Sequence, residues 1–437
     1  RSDVASGEVS EMWTSPNTMR GSVPTTQGRF NLNYANSYIT FLSYHDGWPH
    51  LYSLDENGGE PLLLTPGDYM AEYISLSPDK KSLVFTANTG PNQYDIDRRH
   101  IVKVPVDKAE PEVMTPGTGN EWTPYISGDG EHMFYISATA QRPPLVAVME
   151  LDDQDSKLLG EDLIPEDFPT EQLVVPTQVV FDAPDGTKIH GTLFRTDNRR
   201  QQKPAVIYVH GGPPRQMLLG WHYSSYYSNA YAMNQYLASQ GFVVLSVNYR
   251  LGIGYGYEFH KPVDGGRRGA SEYQDIKAAG EWLAEQDFVD PDRIGIYGGS
   301  YGGYLTAMAL GRDSDLFAAG VDIHGVHDRV SGRYTFDASD YEKAPDLQEA
   351  MDVAWQSSPV AYVDSWTSPV MIIHGDDDRN VYFRQSVDLV GRLMEKGVPM
   401  ETMVIVDDTH HFMMHANQRK VNAAAADYLI RQLKPKQ

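Results

Sequence analysis

Gly298-Gly299-Ser300-Tyr301-Gly302 fits the pattern G-x-S-x-G, and its flanks fit as well. Ile294–Tyr297 before it reads as a short buried strand, and Gly303–Gly311 after it reads as a helix. A serine on a sharp strand-to-helix turn is pushed out of the sheet with its hydroxyl exposed, and small neighbours let the backbone make that turn. The stretch therefore predicts a nucleophile at Ser300 and an α/β sheet around it.

Working outward from that turn, strand-like and helix-like runs alternate from about residue 174 onward. Candidate strands are Val179–Ala183, Lys188–Phe194, Ala205–Val209, Val243–Val247, Ile294–Tyr297, Gly320–Ile323, Val370–Ile373 and Thr402–Val406. Candidate helices are Ser271–Glu285, Gly303–Gly311, Gln385–Lys396 and Gln418–Leu433. Alternation of this kind predicts a mostly parallel sheet covered by helices. The first two strands read as a hairpin around Pro184-Asp185-Gly186. Residues 161–172 are acidic and contain proline, and read as a linker.

Upstream, residues 30–160 read as short strands separated by turns. Ser77-Pro78-Asp79 and Ser127-Gly128-Asp129 stand 50 positions apart, as do Leu64-Thr65-Pro66-Gly67 and Met114-Thr115-Pro116-Gly117. Two features sharing one period make an internal repeat, with about four strands per repeat as in a propeller blade. Tyr38–Tyr44 with His50–Leu54 supplies an earlier copy, giving about three blades. A closed propeller takes about four to eight, so the expectation is a truncated propeller, its missing N-terminal part lost or held as a separate fragment, with a small open β-domain as the alternative. The fold class is then α/β, with residues 1–170 a partial β-propeller plus linker and residues 171–437 an α/β-hydrolase domain.

Composition bounds the partners. The 437 residues carry 36 basic and 59 acidic side chains, a net charge of −23, which disfavours nucleic acid because phosphates would be repelled. No stretch approaches the roughly 18 apolar residues of a membrane helix. The chain contains no Cys, which excludes disulfides, thiolate nucleophiles and Cys-type zinc sites. A soluble protein is expected, with cytoplasmic and periplasmic or secreted locations both open, and a homo-oligomer is compatible with the sequence.

A serine hydroxyl needs a base, and the base needs an orienting acid. In α/β-hydrolases the order is Ser, then Asp or Glu, then His. Asp376-Asp377-Asp378 follows the strand Val370–Ile373, and His410-His411 follows the strand ending at Val406. Open α/β sheets place ligands at the C-terminal ends of their strands. Asp376-x-Asp378-x-Asn380 resembles the start of a calcium loop, but position 6 is Val381 and position 12 is Val387, where that loop needs Gly and Glu. His411 and His415 stand four apart without the following Glu of a zinc peptidase. No metal and no cofactor is expected. His210-Gly211-Gly212-Pro213 follows the strand Ala205–Val209, where an oxyanion loop belongs; the backbone N–H groups of Gly212 and Tyr301 are the candidate donors, and a simple tight turn is the alternative.

Together these residues resemble the prolyl oligopeptidase family of serine peptidases. The resemblance is carried by His210-Gly211-Gly212-Pro213, Tyr249-Arg250 with Tyr255-Gly256, Gly298 to Tyr304, His374 to Val381 and Thr409-His410-His411-Phe412. It looks closest to the acylaminoacyl-peptidase and dipeptidyl-peptidase-like branches. It implies Ser300, Asp378 and His410 as the triad, and Tyr301, Val326 and Val381 in the pocket for the residue before the scissile bond. The expected function is hydrolysis of short peptides, with a dipeptidyl-peptidase and an esterase or amidase as alternatives, and an idle binding protein as the non-enzymatic one. Relatives usually carry Trp where this chain has Arg329, so Arg329 either reshapes the pocket toward polar or acidic residues or turns to solvent while another aromatic such as Tyr334 fills the space. Dipeptidyl-peptidases bind a free amine with a pair of glutamates; no Glu-Glu occurs in this sequence, which counts against the dipeptidyl reading unless the missing N-terminal part holds the anchor.

Overall fold

Among the described residues, twelve strands of the N-terminal part form three four-stranded antiparallel sheets, each a meander in chain order. The first holds β1 (Asn33–Ala35), β2 (Tyr38–Ser43), β3 (His50–Asp55) and β4 (Leu62–Leu63). The second holds β5 (Ala71–Leu76), β6 (Ser82–Ala87), β7 (His100–Pro105) and β8 (Glu112–Val113), and the third β9 (Asn120–Ile126), β10 (His132–Ala138), β11 (Leu145–Glu150) and β12 (Ser156–Leu159). The computed structural model describes residues 1–21, 31–196, 201–330 and 346–434.

The 50-residue period has a hydrogen-bonding cause. In the Thr-Pro-Gly turns, Thr65 Oγ1 accepts the Leu51 N–H at 2.9 Å and Thr115 Oγ1 accepts the Ile101 N–H at 2.8 Å. In the hairpins, Ser77 Oγ accepts from Ser82 N and Ser127 Oγ from His132 N, both at 3.0 Å. Each donor and acceptor therefore recurs 50 positions on. Side-chain alternation then stacks the sheets. Leu83 and Phe85 of β6 join a core with Leu42 and Leu51 of the first sheet, while Val84 between them joins Met133, Tyr135 and Met149 of the third. The middle repeat thus buries its two faces against its neighbours.

The chain folds as two units, and the first is not continuous in sequence. Unit 1 comprises Arg1–Glu171 with Leu218–Tyr223 and Ile253–His260; unit 2 comprises Gln172–Met217, Ser224–Gly252 and Lys261–Gln437. The two short stretches are bonded into unit 1: Leu219 N–H donates to Asp97 O at 3.0 Å, Asn88 Nδ2 to Gly254 O at 2.8 Å, and the Tyr255 hydroxyl to Asp97. A fully buried Arg99 pairs with Glu72 at 2.5 Å in the same unit.

Unit 2 is an eight-stranded sheet of β13 (Thr177–Asp182), β14 (Lys188–Phe194), β15 (Lys203–Val209), β16 (Val243–Asn248), β17 (Val289–Gly299), β18 (Ala319–Ile323), β19 (Val370–Gly375) and β20 (Met400–Ile405), in the order β13-β14-β16-β15-β17-β18-β19-β20. Only β13 with β14 and β14 with β16 pair antiparallel. β16 and β19 are buried along their whole length, and β15 after its first residue, as a parallel sheet covered on both faces requires. The expected helices are present as Tyr273–Ala284, Tyr301–Arg312, Arg384–Lys396 and His415–Leu433. Two further helices, Ser225–Ser239 and Leu347–Gln356, carried no sequence expectation. The register aligns the strand ends: Val209 pairs with Gly298, Gly299 with Ile323, Ile323 with Ile373, and Gly375 with Ile405. The loops that begin at His210, Ser300, His324, Asp376 and Val406 therefore leave one edge of one sheet.

Candidate active site

Ser300 sits between β17 and the helix Tyr301–Arg312 with φ 60° and ψ −115°, an uncommon conformation for a residue with a Cβ. Its N–H is anchored on Ile323 O at 2.8 Å. The turn demands glycine beside it, since a Cβ at Gly302 would stand 2.0 Å from Val209 O. Tyr301 opens the helix, so its N–H belongs to the first turn, where no carbonyl inside the helix can accept it.

The loop after β15 lies against this turn. A Cβ at Gly211 would meet Gly299 O at 2.7 Å and the Ser300 Cβ at 3.3 Å, and Gly212 has φ 97°. Two tyrosines hold the loop: Tyr249 donates to His210 O at 2.8 Å and Tyr227 to Gly211 O at 3.0 Å. The His210 ring is fully buried and stacks on Tyr249, with centroids 4.3 Å apart. Burial lowers its pKa to about 4.

The acid and the base meet directly. His410 Nδ1 lies 2.6 Å from Asp378 Oδ2, with Asp378 at 4% and His410 at 7% exposure. The other oxygen of Asp378 accepts the N–H groups of Asn380 at 2.8 Å and Val381 at 2.9 Å. His374 adds a contact to Oδ2 at 3.2 Å. Burial works against the charge on Asp378, but these donors and His410 outweigh it and hold the carboxyl well below the usual range. The neighbouring aspartates do other work. Asp376 accepts the Asp407 N–H at 2.8 Å, and Asp377 N–H donates to Asp408 O at 3.2 Å.

Sequence reading passed over Asp408, which builds the His410 loop. Its side chain accepts Thr409 N–H at 2.8 Å, Met413 N–H at 2.9 Å and the Asn417 amide at 2.7 Å. An Asp two residues before a candidate base, in a run needing a tight turn, was the available signal. Also missed was the link between nucleophile and base. A Cβ at Gly299 would stand 3.2 Å from His324 Nε2, and the His324 ring lies tilted at 35° beside that of His410, with centroids 4.2 Å apart.

The expected pocket residues are placed as follows. Val326 and Val381 are buried at 3% and 2%. Arg329 does not turn to solvent: it is 8% exposed, its guanidinium carbon 4.1 Å from the Tyr304 ring centroid and 4.9 Å from that of Tyr301. The Tyr301 hydroxyl donates to the fully buried Glu272 at 2.6 Å. The loop carrying Val326 and Arg329 is clamped by a buried pair, His327 Nε2 with Asp322 Oδ2 at 2.5 Å, and by Gln385, which accepts the His327 and Asp328 N–H groups at 2.8 Å each. Tyr334 lies outside the described residues.

Among the described residues, His324, Asp378 and His410 could offer metal ligand atoms within 4.8 Å of one another. Asp378 Oδ2 is already engaged by His410 at 2.6 Å and by His374 at 3.2 Å. No helix among the described residues is long and apolar enough to cross a membrane.

Residues 228–436 match the family model for the prolyl oligopeptidase family, and residues 1–144 match that for the dipeptidyl peptidase IV N-terminal region. The resemblance to the prolyl oligopeptidase family is thereby borne out over residues 228–436. It is 32% identical over 235 residues to dipeptidyl aminopeptidase BIII of Pseudoxanthomonas mexicana, covering 52% of this chain and 33% of that protein. It is 26% identical over 307 residues to the peptidase YuxL of Bacillus subtilis, covering 68% of this chain and 44% of the relative. The dipeptidyl peptidase 4 structure from Porphyromonas gingivalis superposes with a TM-score of 0.76 at 20% identity, over 92% of this chain and 56% of that one. The chain thus spans half or less of these two curated relatives. The family's α/β-hydrolase domain with a propeller-type N-terminal region is the fold of this chain.

Proposed function

We propose that this chain is a serine peptidase that hydrolyses short peptides, of the acylaminoacyl-peptidase or oligopeptidase type, through an acyl-enzyme. The observation that carries the reading is the 2.6 Å contact of His410 with buried Asp378 on the sheet edge from which Ser300 emerges. Ser300 attacks the peptide carbonyl while His410 takes its proton. Asp378 holds the His410 ring in one tautomer and stabilises the imidazolium. The N–H groups of Gly212 and Tyr301 receive the developing oxyanion. His410 then protonates the leaving amine, and water repeats the sequence with the roles reversed. Residues 171–437 form the catalytic domain in this reading, and residues 1–170 a partial propeller with its linker.

Tyr301, Val326, Arg329 and Val381 would receive the side chain before the scissile bond. Arg329 rests on the faces of Tyr301 and Tyr304, a cation where an apolar floor would favour proline. A polar or acidic residue is the expected beneficiary. The names of the relatives favour a second reading, removal of dipeptides from a free N-terminus.

A fluorophosphonate should label wild-type protein at Ser300 and leave Ser300→Ala unlabelled. A peptide panel with free and acylated N-termini, carrying Pro, Ala, Phe or Glu before the cleaved bond and read by mass spectrometry, separates the substrate classes. Cleavage only after a free-amine dipeptide would select the second reading. A strict proline preference would remove Arg329 as a determinant, and full turnover by Ser300→Ala would refute the triad.

A further inference from the structure

His324 is the first residue beyond β18, and the structure spends a good deal on placing it. Its φ is 43°, a left-handed backbone conformation that side chains with a Cβ seldom adopt. Its N–H is tied to Ile373 O at 2.7 Å. The ring is fully buried, and Nε2 meets the Tyr226 hydroxyl at 3.2 Å. Two rings flank it: His410 at 4.2 Å between centroids and 35° between planes, and Phe412 at 5.2 Å and 34°. Strain held at a defined place points from the outlier to a role.

A base in acyl transfer must keep Nδ1 on its carboxylate while Nε2 faces the nucleophile. Rotation of the imidazole plane spoils both contacts at once. In the structure, one edge of the His410 ring is fixed by Asp378 at 2.6 Å, and His324 lies beside its face with centroids 4.2 Å apart.

We infer that His324 is a positioning residue for the base: its imidazole, anchored by Tyr226 and packed beside Phe412, holds the His410 ring in the plane that serves both Asp378 and Ser300. This rests on the serine-peptidase reading given above. The groups around the His324 ring are His410, His374, His411, Asp378 and the Tyr226 hydroxyl. Burial first, and then the neighbouring histidines, hold the His324 pKa well below its ordinary value. The ring thus stays uncharged when His410 becomes an imidazolium. An uncharged aromatic face beside a cation attracts it, whereas a second imidazolium would repel it.

The test compares His324→Phe, which keeps a ring, with His324→Ala, which does not. Misplacement of a catalytic group by about 1 Å costs roughly a hundred-fold. His324→Ala is expected to lose about ten- to a hundred-fold in kcat with KM within about two-fold of wild type. The low-field proton resonance of His410 Nδ1–H should broaden, and the acid limb of the kcat/KM profile should move. His324→Phe should recover kcat to within about three-fold and restore the resonance, since ring stacking alone fixes the plane. If the Ala variant fails to fold, His324→Leu replaces it, filling the space without a ring. Unchanged kcat and resonance in the ringless variant would overturn the inference, as would equal losses in the Phe and ringless variants. Failure of the underlying reading is a separate result: the wild type would then not react with fluorophosphonate at Ser300.

Discussion

Strained backbone is distributed by different rules in the two units. In unit 1 three positions with positive φ recur at the 50-residue period, although Asn36, Ser37 and Gln154 occur once. Gly67 and Gly117 have φ 132° and 154°, Tyr73 and Thr123 have 52° and 59°, and Lys80 and Gly130 have 60° and 81°, each pair 50 residues apart. In unit 2 the strained residues outside glycine occur once each, and five of them are Ser300, His324, Asp407, Phe412 and Leu251. The first four lie in loops leaving the sheet edge that holds Ser300 and His410. Strain that recurs with a structural period belongs to the architecture. Strain that occurs once and gathers beside a buried Asp–His pair marks the candidate site.

Substitutions in each unit test this contrast. Ser300→Ala should abolish turnover, by about 10⁶-fold on the scale of other serine nucleophiles, with the unfolding transition unmoved; retention of even a tenth of the peptide turnover would detach the unit 2 strain from catalysis. Asp378→Asn should lower kcat by about 10⁴-fold because the amide favours the wrong His410 tautomer, and steady-state kinetics at saturating peptide measures it. In unit 1, Phe85→Ala removes a fully buried ring from the core between two sheets and should cost about 3–5 kcal/mol in denaturant unfolding.

Acid should act on unit 2 through His210. Its pKa is about 4 in the fold against 6.5 ordinarily, so the unfolded chain takes up the proton first as pH falls. The stabilisation is complete above pH 6.5 and is lost between 6.5 and 4, by roughly 3 kcal/mol. Denaturant midpoints at several pH values should show a shallower slope in His210→Leu; an identical slope would sink the assignment. The smallest effect is Gly130→Ala, expected to cost about 1 kcal/mol because Ala must adopt the left-handed conformation that Lys80 already tolerates.

Much of this was legible in the sequence, and the illegible part has physical reasons. The strand ends and the Ser-Asp-His order were readable because parallel strands are short apolar runs and their loops follow immediately. The repeat was readable because the same Thr and Ser hydroxyls serve the same strand N–H groups. The choice of Asp378 among three successive aspartates needed the family resemblance, since only the fold shows that Asp376 faces a backbone N–H instead. The helix Ser225–Ser239 was missed because its buried face is built from Tyr227, Tyr231, Asn234 and Gln235 as much as from aliphatic residues, and Ser, Tyr and Asn are weak helix formers. His324 carries no local signature, because its partners come from four distant parts of the chain. The burial of Arg329 was equally hidden, since a cation resting on tyrosine faces leaves no periodicity behind.

The discontinuity of unit 1 sets an order in time. Asp97 and Asn88 find their partners on Leu219, Gly254 and Tyr255, residues made long after the third sheet is complete. On a ribosome adding about 5–20 residues per second, the blades emerge seconds before the segments that finish them. Unit 1 is therefore closed only once synthesis has passed residue 260, part-way through the unit that bears the serine.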